Sequence, residues 1–482
     1  EVALLNASIG DLRVELLQRG FPLAAVQASA DVHEGAKRAE VELYVNPGPR
    51  AVISAIRFEG LHKVPQYMCD REVQFAIGKR YSPGVTNQME QSLKAMRVFR
   101  WTAVTPPTEV RDGKVVLTVR LSEADPQSIT IGPDIAFEAI RWQERLTAVY
   151  THTNLLGNLT RLDFTVVGGY AELPNPWSAD RHGPVTKVEP AFTKKGILEP
   201  FLVWTLAPVF TSDIREGYSF WTVGDRFGAS RWFGGIFNAS LTHYLTRFDY
   251  FEISPALDRN TTQLGRDFSD PYLLSYGELK GTLHLTDSIA RPTNGAVFEA
   301  LYDMAGGAFF GDYDFHKGQL GVRGYYKPAK RLQFVSRIQG GTMIPYGSSP
   351  GVPLSARYYL GGANTVRGFG SRRLSPSLDE CTPEGDCTHI PVGGFSMVQA
   401  TVELRYNFAG PFSVVGFSDM GDVQAKKWTF TPSTWNFTAG PGLRVTTPLG
   451  LVRADVGFRL NRLDAYPRES KFAFYVGLGE VF

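Results

Sequence analysis

With 482 residues, the chain has room for two to four ordinary domains, or for a small domain and one large barrel. Its 50 basic and 48 acidic residues leave a formal charge of +2, so the electrostatic footprint of a nucleic-acid binder is missing. Glycine (49), phenylalanine (32) and tyrosine (20) are plentiful and mean hydropathy is −0.14. No apolar run approaches the ~18 residues of a membrane helix. Strands that cross a membrane show lipid only at every second residue, so composition leaves a soluble all-β protein and a β-barrel both open.

Three cysteines are present. Cys381 and Cys387 flank the turn-rich stretch Thr382-Pro383-Glu384-Gly385-Asp386. This spacing reads as a short-loop disulfide at an oxidising surface, with two free thiols as the alternative. Cys69 is left unpaired, on a helix of a small domain. The chain opens at Glu1 without a basic n-region or an apolar h-region, which for an exported protein implies a mature or trimmed chain.

Ile9, Leu12, Leu16 and Leu17 recur at helical spacing, and Gly20 and Pro22 close that helix. Strands are expected near 24–32 and 39–45, before Pro47-Gly48-Pro49 breaks the chain. Helix, strand, strand reads as a domain entered part-way, over residues 1–49. A complete unit follows over 50–124: a strand at 52–59, a short helix at 66–76, a helix at 86–99, and strands at 101–108 and 114–121. The longer helix aligns Met89, Leu93, Met96 and Phe99 on one stripe.

From about 127 to 482 the helical period disappears. Val398, Ala400, Val402, Leu404 and Tyr406 alternate with Gln399, Thr401, Glu403 and Arg405. Val452, Ala454, Val456 and Phe458 likewise oppose Arg453, Asp455, Gly457 and Arg459. A soluble sandwich and a membrane barrel with a wet lumen share this period. Three other features favour the barrel. Aromatic residues gather where strand ends are expected (Phe210, Tyr218, Phe220, Trp221, Trp232, Phe233, Tyr250, Phe251, Tyr358, Tyr359), as membrane girdles would. Short turns such as 291–295 alternate with long polar stretches such as 171–184 and 370–391. The last strand runs to Phe482, and closing the sheet removes both edges, which lipid would not tolerate. The fold expected is mainly β, an antiparallel transmembrane barrel of about 16 strands behind small α+β domains.

The β-α-α-β-β unit ahead of this barrel, with Gly361-Gly362-Ala363-Asn364-Thr365-Val366-Arg367-Gly368-Phe369 late in the chain, resembles the POTRA-plus-barrel plan of the BamA/TamA outer-membrane insertase superfamily. Further matches follow in family order. They are Arg291-Pro292-Thr293-Asn294-Gly295, Gly393-Gly394 leading to Glu403-Leu404-Arg405, Phe417-Ser418-Asp419-Met420-Gly421, and Thr447-Pro448-Leu449-Gly450. The stretch from Gly20-Phe21-Pro22 to Asn46-Pro47-Gly48-Pro49 and the ending Phe474-Tyr475-Val476-Gly477-Leu478-Gly479 are most similar to the TamA branch. Thr365 to Phe369 and the cysteine-bearing sixth loop are equally similar to BamA.

The resemblance implies a sixth loop, about 361–391, folded into the lumen, with Val366, Arg367, Gly368 and Phe369 as its motif. Arg367 would then fork onto Glu403 and Asp419 of the barrel wall. The closing seam would involve Gly132 and Pro133 on the first strand and Gly477, Gly479 and Phe482 on the last. Proline cannot donate to a ladder and glycine packs poorly, so the seam would open sideways, or these residues merely ease curvature. Cysteines near Ile131 and Gly477 should face one another there.

No HExxH, Gly-x-Ser-x-Gly elbow or paired CxxC occurs, so the chain reads as neither an enzyme nor a cofactor binder. The function implied is assembly of outer-membrane proteins, TamA-like, by pairing client strands at the seam, with the POTRA domains in the periplasm. Its partners would be unfolded outer-membrane clients, a periplasmic or inner-membrane-anchored accessory subunit, and membrane lipid, but no nucleic acid. A BamA-type insertase and a two-partner secretion pore remain as alternatives within the superfamily, and a surface adhesin barrel outside it.

Overall fold

The computed structural model describes residues 2–33, 38–138, 140–258, 271–347, 349, 351–381, 387–447, 450–465 and 470–478. They fall into two compact units, residues 1–128 with 151–162, and residues 129–150 with 163–482.

The first unit opens with helix α1 (Val2–Gln18), longer than its apolar stripe alone suggests. Gly20, at φ +95°, ends it, and strands β1 (Ala25–His33) and β2 (Arg38–Asn46) pair antiparallel from Ala25↔Asn46. Next come β3 (Val52–Glu59), α2 (Gln66–Val73), α3 (Pro83–Ala95), β4 (Phe99–Thr105) and β5 (Lys114–Glu123). The sheet runs β3-β5-β4, with β3 parallel and β4 antiparallel to the central β5. Its core holds Ile53, Cys69, Met89, Leu93 and Leu117, all fully buried. Helix α3 starts earlier than the stripe suggests. Ser82 caps it, its hydroxyl accepting from Val85 N at 3.3 Å, and Pro83 takes the first helical position, where no N–H is needed. Phe99 opens β4 and is not the last helical residue.

The second unit is a closed barrel. Its strands are β6 (Gln127–Glu138), β7 (Arg141–His152), β8 (Arg161–Leu173), β9 (Arg181–Lys195), β10 (Val203–Arg215), β11 (Tyr218–Phe233), β12 (Phe237–Phe251) and β13 (Tyr272–Thr286). They continue as β14 (Gly295–Ala305), β15 (Phe315–Ala329) and β16 (Leu332–Pro345). The short hairpin β17 (Ser377–Cys381) and β18 (Cys387–Pro391) lies outside the barrel ladder. The barrel resumes with β19 (Ser396–Ala409), β20 (Phe412–Gln424), β21 (Asn436–Thr447), β22 (Gly450–Arg459) and β23 (Phe472–Leu478). Sixteen strands, counted among the described residues, follow one another round the ring, and β23 returns to β6. Closure leaves no bare edge in lipid.

Strand parity sorts the side chains as the alternation implies. Val402, Leu404 and Tyr406 of β19 are exposed on the outer face, while Gln399, Thr401 and Glu403 are buried within. The lumen, however, is less wet than expected at one end. Tyr218, Tyr250, Tyr272, Phe315 and Phe369 belong to one buried apolar cluster there. The girdle expectation therefore fails for Tyr218, Tyr250 and Tyr358, which are buried and packed, while Trp232, Phe233 and Phe251 do lie exposed. Half of the stretch 171–184 is strand, leaving a loop of only 174–180 between β8 and β9. The sixth loop spans 346–395, wider than 361–391, and carries the β17–β18 hairpin.

Candidate functional site

Arg367 sits on the sixth loop with its side chain fully buried. Its Nε and Nη2 donate to the two oxygens of Asp419, each at 2.8 Å, and its backbone N–H adds a third bond at 3.0 Å. Nη1 donates to Glu403 Oε1 at 2.7 Å. Glu403 comes from β19 and Asp419 from β20, so one guanidinium ties the loop to two neighbouring strands. The side-on fork to Asp419 uses the rigid planarity that lysine lacks.

Several further partners are not foreseeable from the motif. Asp455 of β22 lies 3.8 Å from Arg367 Nη1 and accepts from Arg444 Nη1 at 2.7 Å. Arg405 Nε bonds Glu403 Oε2 at 2.9 Å. Arg367, Arg405 and Arg444 thus face Glu403, Asp419 and Asp455, three charges against three, and such balance is what makes buried ions tolerable. Phe417 adds its ring face 3.5 Å from the Arg367 guanidinium. The parity that groups Arg453, Asp455 and Arg459 on one face is a usable signal, but parity names a face and not a partner.

Gly368 takes φ +109°, a conformation that favours glycine. Its N–H donates to the Tyr475 hydroxyl at 2.8 Å, and that hydroxyl donates to the Phe369 carbonyl at 2.7 Å. Tyr475 is on β23, so the motif also holds the last barrel strand. Gly457 of β22 admits the loop backbone: a Cβ there would lie 2.6 Å from Arg367 C and Gly368 N. Val366 and Phe369 are fully buried in the apolar cluster. Arg453 Nη1 donates to the Ala363 carbonyl at 2.9 Å and Arg337 Nη2 to the Asn364 carbonyl at 2.9 Å.

The turn at 287–294 is built around Asp287, which accepts from Thr293 N at 2.8 Å and Asn294 N at 3.1 Å as well as from the Thr293 hydroxyl. These bonds, the Thr293 hydroxyl first, pull its carboxyl down to about 2.

β22 and β23 are in register from Val452↔Leu478 to Phe458↔Phe472, and β23 pairs antiparallel with β6 in a register that sets Val476 opposite Phe137. That register sets Gly477 beside position 136 and not beside Ile131, because antiparallel partners keep a constant sum of positions. Gly132 and Pro133 are in β6, and Gly477 lies opposite Arg453 of β22. Gly479 and Phe482 lie outside the described residues. Cys381 and Cys387 stand directly opposite each other at the end of the β17–β18 hairpin. Their side chains lie outside what the structure describes. Cys69 is a buried free thiol whose pKa burial pushes up to about 12, so it is inert.

Residues 217–482 match the Omp85 superfamily domain. The chain is 23% identical over 455 residues to the outer membrane protein assembly factor BamA of Nitratidesulfovibrio vulgaris, covering 94% of this chain and 54% of that protein. It therefore spans about half the length of that curated relative. In fold it is similar to BamA from Haemophilus ducreyi lacking POTRA domains 1–3 (TM-score 0.77, 16% identity, 99% of this chain and 93% of that one). It is also similar to CdiB from Acinetobacter baumannii (TM-score 0.57, 13% identity, 98% and 81%). The matched domain covers more than half of the 482 residues, and the chain belongs to the Omp85 superfamily as an outer-membrane β-barrel protein with periplasmic POTRA domains.

Proposed function

We propose that this chain assembles outer-membrane proteins by offering the edge of β6 to a client strand, in the manner of a TamA-like insertase. Closure of the ring by its first and last strands carries this reading, since Pro133 of β6 has no N–H to give to the ladder at that junction. A client strand entering there would replace the β23–β6 ladder with one of its own, the usual logic of β-augmentation. No nucleotide is required, because a closed barrel in lipid satisfies its own backbone groups. Residues 1–49 and 50–124 serve as POTRA domains that receive clients and an accessory subunit. The loop-six anchor on β19 and β20 keeps that part of the wall rigid while the seam opens.

Paired cysteines at Phe137 and Val476, the facing positions of the register, test the seam. In a Phe137→Cys, Val476→Cys double variant, cross-linking should stop client assembly while the barrel stays folded, and reduction should restore it. Retained assembly after complete cross-linking would sink the lateral mechanism, and retained secretion of one dedicated client would favour a secretion pore.

A further inference from the structure

A second group of arginines lies at the loop-six end of the barrel, away from Arg367. Arg141, the first residue of β7, donates to Asp213 Oδ1 at 2.7 Å and to the Ile214 carbonyl at 2.5 Å. Arg215, at the end of β10, meets the other oxygen of Asp213 at 2.6 Å. Arg373 bonds Glu216, its Nε at 3.1 Å. Arg372 has the Tyr218 hydroxyl at 3.4 Å and the Tyr359 ring at 4.4 Å, but no carboxylate in ion-pair range among the described residues. On the β17–β18 hairpin, Asp379 pairs with His389.

Four guanidinium groups, of Arg141, Arg215, Arg372 and Arg373, therefore face two carboxylates, Asp213 and Glu216, which leaves two positive charges in excess. Arg141, Arg215, Glu216, Tyr218, Ser371 and Arg372 line a small cavity of about 30 Å³. The Nε of Arg215 is buried and has no acceptor among the described residues. A half-buried cation without a counter-charge and a buried donor without an acceptor are both costly, and an anion in the cavity would relieve both.

We propose that this cavity binds a phosphate-class oxyanion, with Arg215 and Arg372 as its charged ligands and Tyr218 and Ser371 as neutral ones. Guanidinium groups suit the oxygens of a tetrahedral dianion, and the excess charge matches it. The bound anion would bridge the sixth loop, through Ser371 and Arg372, to the end of β10, a fastening independent of Arg367. Free phosphate and a phosphomonoester lipid headgroup share this chemistry.

The test uses the purified full chain in zwitterionic detergent. Inorganic phosphate should raise the unfolding temperature saturably, whereas sodium chloride at matched ionic strength should not. Arg372→Gln should weaken the apparent affinity by about tenfold or more, and Arg372→Lys by less. Heat-modifiable mobility on gels confirms that each variant is folded, and calorimetric titration of the unaltered chain gives a measure that needs no variant. Micelles doped with phosphatidic acid, compared with phosphatidylcholine alone, identify the source. Protection by phosphatidic acid alone assigns the site to a headgroup, and saturation by inorganic phosphate assigns it to the free anion. No saturable binding of either, or equal binding by Arg372→Gln, overturns the proposal.

Discussion

The guanidinium of Arg367 is satisfied from two directions, by Asp419 along one edge and by Glu403 at the remaining nitrogen. Its removal leaves carboxylates buried with fewer partners, and breaking one member of such a network costs about 3–5 kcal/mol. Arg367→Ala should therefore release the sixth loop while the ladder of strands persists. Limited proteolysis should cut the loop faster in the variant, and client assembly should fall at normal protein abundance. Arg367→Lys should rank between the two, because it keeps the charge and loses the fork. Protease resistance and assembly equal to the unaltered chain would refute the anchoring role. This site is partly legible in the sequence. Glu403 follows from strand parity and Asp419 from the family motif, but the meeting of Asp455, Arg444 and Tyr475 with the loop does not, because alternation cannot say which side chains meet across the lumen.

Among the elements, the short segment between β3 and α2 depends on one carboxylate. Glu123 accepts N–H bonds from His62 at 2.8 Å, Lys63 at 2.9 Å and Val64 at 2.9 Å. Burial works to raise its pKa, and these three bonds outweigh it, so the group titrates below the ordinary glutamate range. A depressed carboxylate contributes stability that is present above its unfolded pKa, about 4.3, and is lost as pH falls through the lower folded value. Glu123→Gln should weaken hydrogen-exchange protection at these amides near neutrality, and the difference should shrink in acid. An equal difference at both pH values would show that the charge is not responsible. The β17–β18 hairpin carries a separate expectation. With Cys381 opposite Cys387, a disulfide is proposed to close its tip. Mass spectrometry without reduction should find the two linked, and alkylation of both would contradict it. In sequence the hairpin looks like plain loop, since five-residue strands flanked by turn residues give too little alternation to register.

For the whole molecule, period-two alternation without a helical period marks residues from about 127 onward as β, a pattern that a sandwich and a barrel share, and the family motifs point to the barrel. Lipid-facing Val402 and Leu404 and inward Glu403 lie where parity puts them. Composition cannot show that one end of the lumen is filled. Tyr218, Tyr250 and Tyr358 resemble girdle residues in sequence, yet all three are buried, because the sixth loop supplies apolar partners from far along the chain. The helix start at Pro83 is hard to see for a related reason: proline reads as a break unless its place at the first helical position is recognised.

The position of Arg367 also has a meaning in time. Its motif is held by residues 36, 52 and 107 positions away, on β19, β20 and β23. Contacts of such long range form late, because loop-closure entropy must first be overcome. The sixth loop precedes all of these strands in the chain, yet it cannot dock until they are in place. Its docking thus reports completion of the barrel wall, so a truncated or stalled chain would be left with an unseated, protease-accessible loop that marks it as unfinished.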